Sequence, residues 1–447
     1  MSKSTTKQQK NKISLFPIIH PHASGIDVSD DEMVVALPIN GFIELKYFEC
    51  FTRDLQAIPR LLKEHNIDTV AMESTGVYWV CLFEILIEEG FEVYLVNARH
   101  VKNVTGRKTD ETDAVWIQKL HSCGLLSASF QPSNLERSLR SLTRHRKSLV
   151  KTCSTYTNRM QKALELMNIK LHTVISDIDG KTGRLIIEAI LQGERDAHIL
   201  ASLKDRRIKA SQEVIIKSLE GYWQPEHLFE LKQCYEMYKH HQQMIDECDA
   251  EIQRTLEQMI NLRNEGDIQQ IQPSEKRKRQ YKNPISFDMT AYLKNLLGVD
   301  ITQITGISEL TALTIISEIG TDMSKWPTEH HFTSWLGLTP NTKISGGKTI
   351  SSRVMKKKQN AGEAFRSAAN SLYKSETPIG KFYKRIKSKA GPGKATVATA
   401  RKMAIIVYKM IQTQAPYDPV ALEKHQEQHK IHIINRLRKK LELLEAA

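Results

Sequence analysis

Four carboxylates and one serine stand out by residue type and setting. Asp27 lies inside the apolar run Gly25-Ile26-Asp27-Val28-Ser29, where burying a charge is costly. Glu73 follows directly on Val70-Ala71-Met72 and precedes Ser74-Thr75-Gly76. Asp110 and Asp113 are three residues apart behind Thr109, which suits a helix N-cap, so both project from one helix face. Glu111, between them, points elsewhere. Carboxylates gathered at one place repel one another unless cations neutralise them. Two Mg²⁺ about 4 Å apart would do so, and would clamp the attacking and leaving oxygens of a phosphodiester. Each acid alone has an ordinary explanation: an Asp in a first helical turn complements the macrodipole, and a Glu after a strand is commonly solvated. Together, in chain order and in a basic protein, they are far more specific.

The serine is Ser345, in Ile344-Ser345-Gly346-Gly347-Lys348, a stretch that follows Trp335-Leu336-Gly337-Leu338-Thr339-Pro340. The two glycines leave its hydroxyl unshielded in what reads as an adaptable loop. Lys343, Lys348, Arg353 and the run Lys356, Lys357, Lys358 surround it with positive charge, and Lys384, Arg385 and Lys394 extend the basic surface. Gly347-Lys348-Thr349 does not complete a P-loop, because the first glycine would fall at Thr342. A Ser-Gly pair is usually only a turn, and a hydroxyl nucleophile needs activation that no neighbouring His supplies here.

Charge sets these residues in context. The 447-residue chain carries 64 Lys+Arg against 51 Asp+Glu, a net +13, with pI near 9.2. Residues 340–410 hold 17 of those basic residues and two acids, Glu363 and Glu376, so the rest of the chain is close to neutral. A neutral body with one strongly basic segment is the footprint of a phosphate-backbone binder. Six scattered cysteines without a CxxC pair indicate a reducing compartment, and the polar N-terminus lacks a secretory pattern. Without a long apolar run, the expectation is a cytoplasmic protein, associated with the bacterial nucleoid when bound to DNA.

The elements that must position these groups fall into distinct regions. Residues 1–21 read as a disordered basic tail. Residues 22–134 read as strand, strand, strand in a meander joined at Asn40-Gly41, then helix, strand, helix, strand, helix, which is the order of a ribonuclease-H-like (RuvC-like) α/β fold. Residues 135–265 are helical. Leu231, Tyr235, Tyr238, Ile245, Ile252, Leu256 and Met259 keep a heptad register, with polar Gln242 and Asp249 at seam positions, as in a coiled coil or a helix packed in its own bundle. Residues 266–288 read as a basic linker, 289–415 as a mostly helical second globular unit and 416–447 as a helical tail. Within 289–415, Thr305-Gly306-Ile307-Ser308 to Glu318-Ile319-Gly320 suits a helix-hairpin-helix whose glycines let backbone N–H groups approach phosphate; an ordinary pair of packed helices fits equally.

Gly25-Ile26-Asp27-Val28-Ser29, Met72-Glu73-Ser74-Thr75-Gly76-Val77-Tyr78-Trp79, Val96-Asn97-Ala98-Arg99 and Lys108-Thr109-Asp110-Glu111-Thr112-Asp113-Ala114 resemble the N-terminal domain of transposases of insertion-sequence family 110. The resemblance continues into the C-terminal unit, and the length, with an insertion near residues 171–223, is similar to the 1111 subgroup. It implies a RuvC-like Asp-Glu-Asp-Asp nuclease centre at Asp27, Glu73, Asp110 and Asp113, holding Mg²⁺. It also implies a second catalytic element whose serine, here Ser345, attacks DNA and holds it covalently. A structured noncoding bridge RNA encoded by the element would then guide a dimeric or tetrameric DNA recombinase, the carboxylates of a facing domain activating the serine. Basic segments at 137–151 and 276–282 would add phosphate contacts. A metal-dependent junction resolvase using water, or a non-catalytic nucleic-acid-binding protein, are the alternatives; the presence of all four carboxylates opposes the latter.

Overall fold

The computed structural model describes residues 17–97, 113–263, 283–354 and 359–420, with a few helical positions beyond. The chain divides into two compact units at residues 131/132.

The first unit is α/β. Strands β1 (Ala23–Val28), β2 (Glu32–Ile39) and β3 (Phe42–Glu49) form an antiparallel meander, and β4 (Thr69–Glu73) and β5 (Glu92–Val96) extend it in parallel, giving the order β3-β2-β1-β4-β5. Asn40 and Gly41 both take positive φ, 48° and 79°, the two-residue turn whose twist matches a hairpin. Period-two alternation assigns the two faces. Ile26, Val28, Val35, Leu37, Val70 and Met72 pack under α1 (Thr52–Glu64) and α2 (Trp79–Glu88). Ala71 and Val96 pack under α3 (Asp113–Ser122) with Trp116, Ile117 and Leu120, while Ala36 meets Ala114 and Val115.

The second unit is mostly helical. A Ser133/Glu136 capping box starts α4 (Asn134–Leu166), which packs along α8 (Pro225–Arg263). Between them α5 (Lys181–Leu191), α6 (Ala197–Ser202) and α7 (Gln212–Leu219) fill the stretch read as an insertion. The heptad seam of α8 is buried within its own chain: Cys153 Sγ contacts the Tyr238 carbonyl and Asp249 is fully buried against Arg146. The remainder comprises α9 (Met289–Leu297), α10 (Glu309–Ile319), α11 (Glu329–Trp335), the hairpin β6 (Lys343–Ser345) and β7 (Lys348–Ser351), α12 (Asn360–Asn370), α13 (Pro378–Ala390) and α14 (Pro392–Thr413). Trp326, Phe332 and Tyr408 form an aromatic core in which the Tyr408 hydroxyl donates to the Trp326 carbonyl at 2.8 Å.

At two glycines of the stretch read as a helix-hairpin-helix, the place of a side chain is taken by neighbouring protein atoms. A side chain at Gly306 (φ +99°) would meet the Ala368 carbonyl at 2.8 Å, and one at Gly320 (φ +75°) would meet the Glu136 carboxylate at 2.2 Å. Glu136 accepts from the Thr321 N–H at 2.9 Å, so the turn after α10 packs against the start of α4. All six cysteines are thiols. Among the described residues no helix is long and apolar enough to cross a membrane. The N-terminal segment to residue 16, most of the basic linker and most of the C-terminal tail lie outside the described residues.

Candidate active site

Asp27 and Glu73 occupy neighbouring parallel strands. Ile26 pairs with Met72, so the next residues, Asp27 and Glu73, share one level at the carboxyl ends of β1 and β4. Ligand sites of open α/β sheets collect at that edge, where the strands end and the loops diverge. The face is also common to both. Gly25, two residues before Asp27, lies directly beneath α3: a Cβ there would sit 2.3 Å from the Gln118 nitrogen and 2.4 Å from the Ala114 oxygen. Ala71, two residues before Glu73, packs against Trp116 and Ile117 of α3. Asp27 and Glu73 therefore face the α3 side, beyond the first described turn of that helix, and Asp113 is its first described residue. The small residues Gly25 and Ala71 bring helix and sheet close enough for the three acids to share one end of the unit.

Glu73 is nearly buried, and its Oε1 accepts a 3.0 Å hydrogen bond from the Thr75 hydroxyl. The loop that follows turns through Gly76 at φ +55°, where the Trp79 indole donates to the Gly76 carbonyl at 3.3 Å, leaving Val77 and Tyr78 exposed. Nothing in the sequence marks Thr75, since a Ser-Thr pair after a strand is common loop chemistry. Asp110 lies outside the described residues. Among the described residues no three His, Cys, Asp or Glu side chains already cluster tightly enough to hold an ion. The donor set, carboxylate oxygens without thiolates or imidazoles, suits a hard divalent cation.

At the opposite edge of the same sheet, where β4 begins, His121 is buried. Its Nε2 lies 2.9 Å from the Thr69 hydroxyl and its ring packs against His20 and Tyr94. Burial first, and the neighbouring His20 second, lower its pKa to about 4, so it is a neutral structural residue.

Ser345 sits elsewhere, in the second unit. The sequence reads as a loop there, but the structure forms a short two-stranded ribbon with Ser345 as the last residue of β6, directly opposite Lys348. Gly346 and Gly347 make the two-residue turn with φ +54° and +71°, a conformation that residues with side chains rarely adopt, and no described atom lies within 4 Å of where their side chains would be. Every residue from 341 to 350 is exposed. The ribbon's base is tied by the Pro340–Val354 bridge and by the Asn341 N–H donating to the Arg353 carbonyl at 3.0 Å. Lys343, Lys348 and Arg353 are exposed around the serine. Lys356, Lys357 and Lys358 lie outside the described residues. On α13, Lys384 is paired with Glu376, one of the segment's two acids, and Arg385 stacks over Phe382 with 5.2 Å to the ring centroid, so these two are less open than the charge count suggests. Lys394, at the start of α14, is exposed.

A family model described as a transposase, for the DEDD domain of IS110 transposases, matches residues 24–169, the span containing all four acids. A second, described as the transposase IS116/IS110/IS902 family, matches residues 300–384, which contain Ser345. Together they cover more than half of the chain. No curated protein matches it.

Proposed function

Because this chain belongs to the IS110 family of transposases, enzymes of DNA transposition, we propose that it cuts and rejoins DNA by combining a carboxylate metal centre with a serine nucleophile. Asp27, Glu73, Asp110 and Asp113 would hold divalent metal, Mg²⁺ by the hardness of the ligand set. Bound there, Mg²⁺ supplies charge neutralisation at the reacting phosphate and lowers the pKa of a hydroxyl on it. The observation that carries this reading is the register of β1 and β4. It brings Asp27 and Glu73 to one level at the carboxyl edge of the sheet, on the side covered by α3.

Ser345 then forms the covalent link. Its Oγ bonds to phosphorus as the bond to one sugar oxygen breaks. The serine proton is lost to a base and the departing sugar oxygen gains one, so a phosphoester replaces a phosphoester. Attack by the sugar hydroxyl of another strand reverses the step and rejoins DNA without an external energy source. Lys348, across the ladder from Ser345, and Lys343, two residues before it, suit stabilisation of the extra negative charge on the pentavalent phosphorus.

The partners follow from the same reading: donor and target DNA, a structured noncoding guide RNA encoded by the element, and further copies of the chain in a dimer or tetramer. The excess of basic residues in 340–410 supports the nucleic-acid partners, and helices α5 to α7, between Lys181 and Leu219, fill the insertion on which the likeness to the 1111 subgroup rests. Asp27→Asn and Glu73→Gln test the metal centre. Each is expected to lose divalent-dependent strand cleavage while binding DNA within a few-fold of the unaltered protein. Full recombination by either variant would remove the carboxylates from the chemistry.

A further inference from the structure

The hairpin that presents Ser345 has a feature that nucleophilic attack does not require. Ile344 is 65 % exposed and Ile350 is 69 % exposed, on a ribbon only three and four residues to a side. Ser345 and Lys348 face each other across the ladder, and the next pair, Ile344 and Thr349, occupies the reverse face. The register then shifts, pairing Lys343 with Ser351 and leaving Ile350 as the extra, unmatched residue, a local bulge that re-aims its side chain. Both isoleucines are exposed, and among the described residues a side chain at either tip glycine would meet no atom within 4 Å. Lys343, Lys348 and Arg353 flank them.

Exposed aliphatic side chains on a narrow ribbon that also carries exposed Lys343 and Lys348 fit a duplex better than another protein surface. The cations meet the phosphates, and the aliphatic groups meet the base stack, which is the apolar part of DNA. Isoleucine is among the side chains that proteins insert between base steps from the minor groove, unstacking and kinking the duplex. We infer that the Ile344–Ile350 ribbon is a wedge that enters DNA beside the phosphate attacked by Ser345 and opens the adjoining base step. The inference rests on the reading of Ser345 as the nucleophile. It adds that the same hairpin deforms its substrate, so that an in-line approach to the phosphate is gained at the moment of contact.

The test uses full-length protein with the element's RNA and a duplex carrying 2-aminopurine at the step beside the cut phosphate. In a Ser345→Ala background, which leaves the duplex uncut, binding should raise the fluorescence several-fold as the base unstacks. Adding Ile344→Ala and Ile350→Ala should abolish that rise while phosphate contacts keep binding within a few-fold. With Ser345 intact, the two isoleucine substitutions should lower protein–DNA adduct formation on the order of tenfold or more, and a mismatch at that step should restore it by supplying the unstacking in advance. An unchanged fluorescence rise in the isoleucine variants, or an adduct yield that the mismatch fails to rescue, overturns the wedge. So does loss of self-association in sedimentation with unaltered DNA fluorescence, which would make the isoleucines a contact between copies of the chain. If unaltered protein forms no adduct on any substrate, the nucleophile reading fails instead, and the fluorescence arm still decides whether the ribbon unstacks DNA.

Discussion

The Thr75 hydroxyl donates a 3.0 Å hydrogen bond to Glu73 Oε1. Glu73 is nearly buried at the end of β4, and this bond occupies one of its two carboxylate oxygens. In the metal centre proposed above Glu73 is a ligand whose orientation such a partner would hold, and loss of such a partner typically costs about 10- to 100-fold in metal affinity or activity.

Thr75→Val, which keeps the shape and removes the donor, should therefore raise the Mg²⁺ concentration giving half-maximal strand cleavage by about tenfold or more. Thr75→Ser should restore it. A valine variant that titrates like the unaltered protein would show that Thr75 only shapes the loop.

The second unit holds an ion pair almost withdrawn from solvent. Arg146 on α4 is paired through its Nε with Asp249 on α8, their side chains 5 % and 0 % exposed. Arg146 also donates to the Asn283 carbonyl at 3.2 Å, and the Ser286 N–H donates to Asp249 at 3.3 Å. The pair thus ties the two long helices to the chain entering α9. Removing one partner leaves the other charge buried, at a cost of about 3–5 kcal/mol, whereas replacing both with apolar groups is often near neutral. Urea unfolding of Asp249→Ala should show that loss in the second unit, and an Arg146→Met, Asp249→Leu double variant should recover most of it. Equal stability of Asp249→Ala and the parent would mean that water reaches the pair.

His121 makes the first unit acid-sensitive. Its folded pKa of about 4 lies below the ordinary 6.5, so between these values the unfolded chain binds a proton that the folded chain refuses. The stability it contributes is complete above about pH 6.5 and declines as pH falls toward about 4. His121→Gln, which keeps a partner for Thr69 and cannot titrate, should flatten that part of the profile. Thermal unfolding measured between pH 4 and 7 checks it, and parallel profiles would assign the acid loss to other groups.

Much of the first unit is legible in the residues. The alternating strands, the Asn40-Gly41 turn and a carboxylate inside an apolar strand each have a local signature, and their order gives the fold. What escapes reading depends on distance. Gly25 looks like a strand residue with no purpose until α3 crosses it, and Thr75 looks like loop until its hydroxyl meets Glu73. Asp249 reads as a polar gap in a heptad seam, because its partner is 103 residues away on α4. The β6–β7 ribbon is too short and too polar to show alternation, so Ser345 reads as part of an adaptable loop although the Gly-Gly turn holds it at a strand end.

Denaturing-gel detection of protein-linked DNA separates a recombinase from a water-dependent nuclease most directly. With the element's RNA and a suicide duplex, the unaltered protein should form a covalent adduct, Ser345→Ala should form none and exchange no strands, and Asp27→Asn should lose the adduct as well. An adduct that persists in Ser345→Ala would assign the nucleophile to another residue, and cleavage by the unaltered protein without any adduct would contradict serine catalysis altogether.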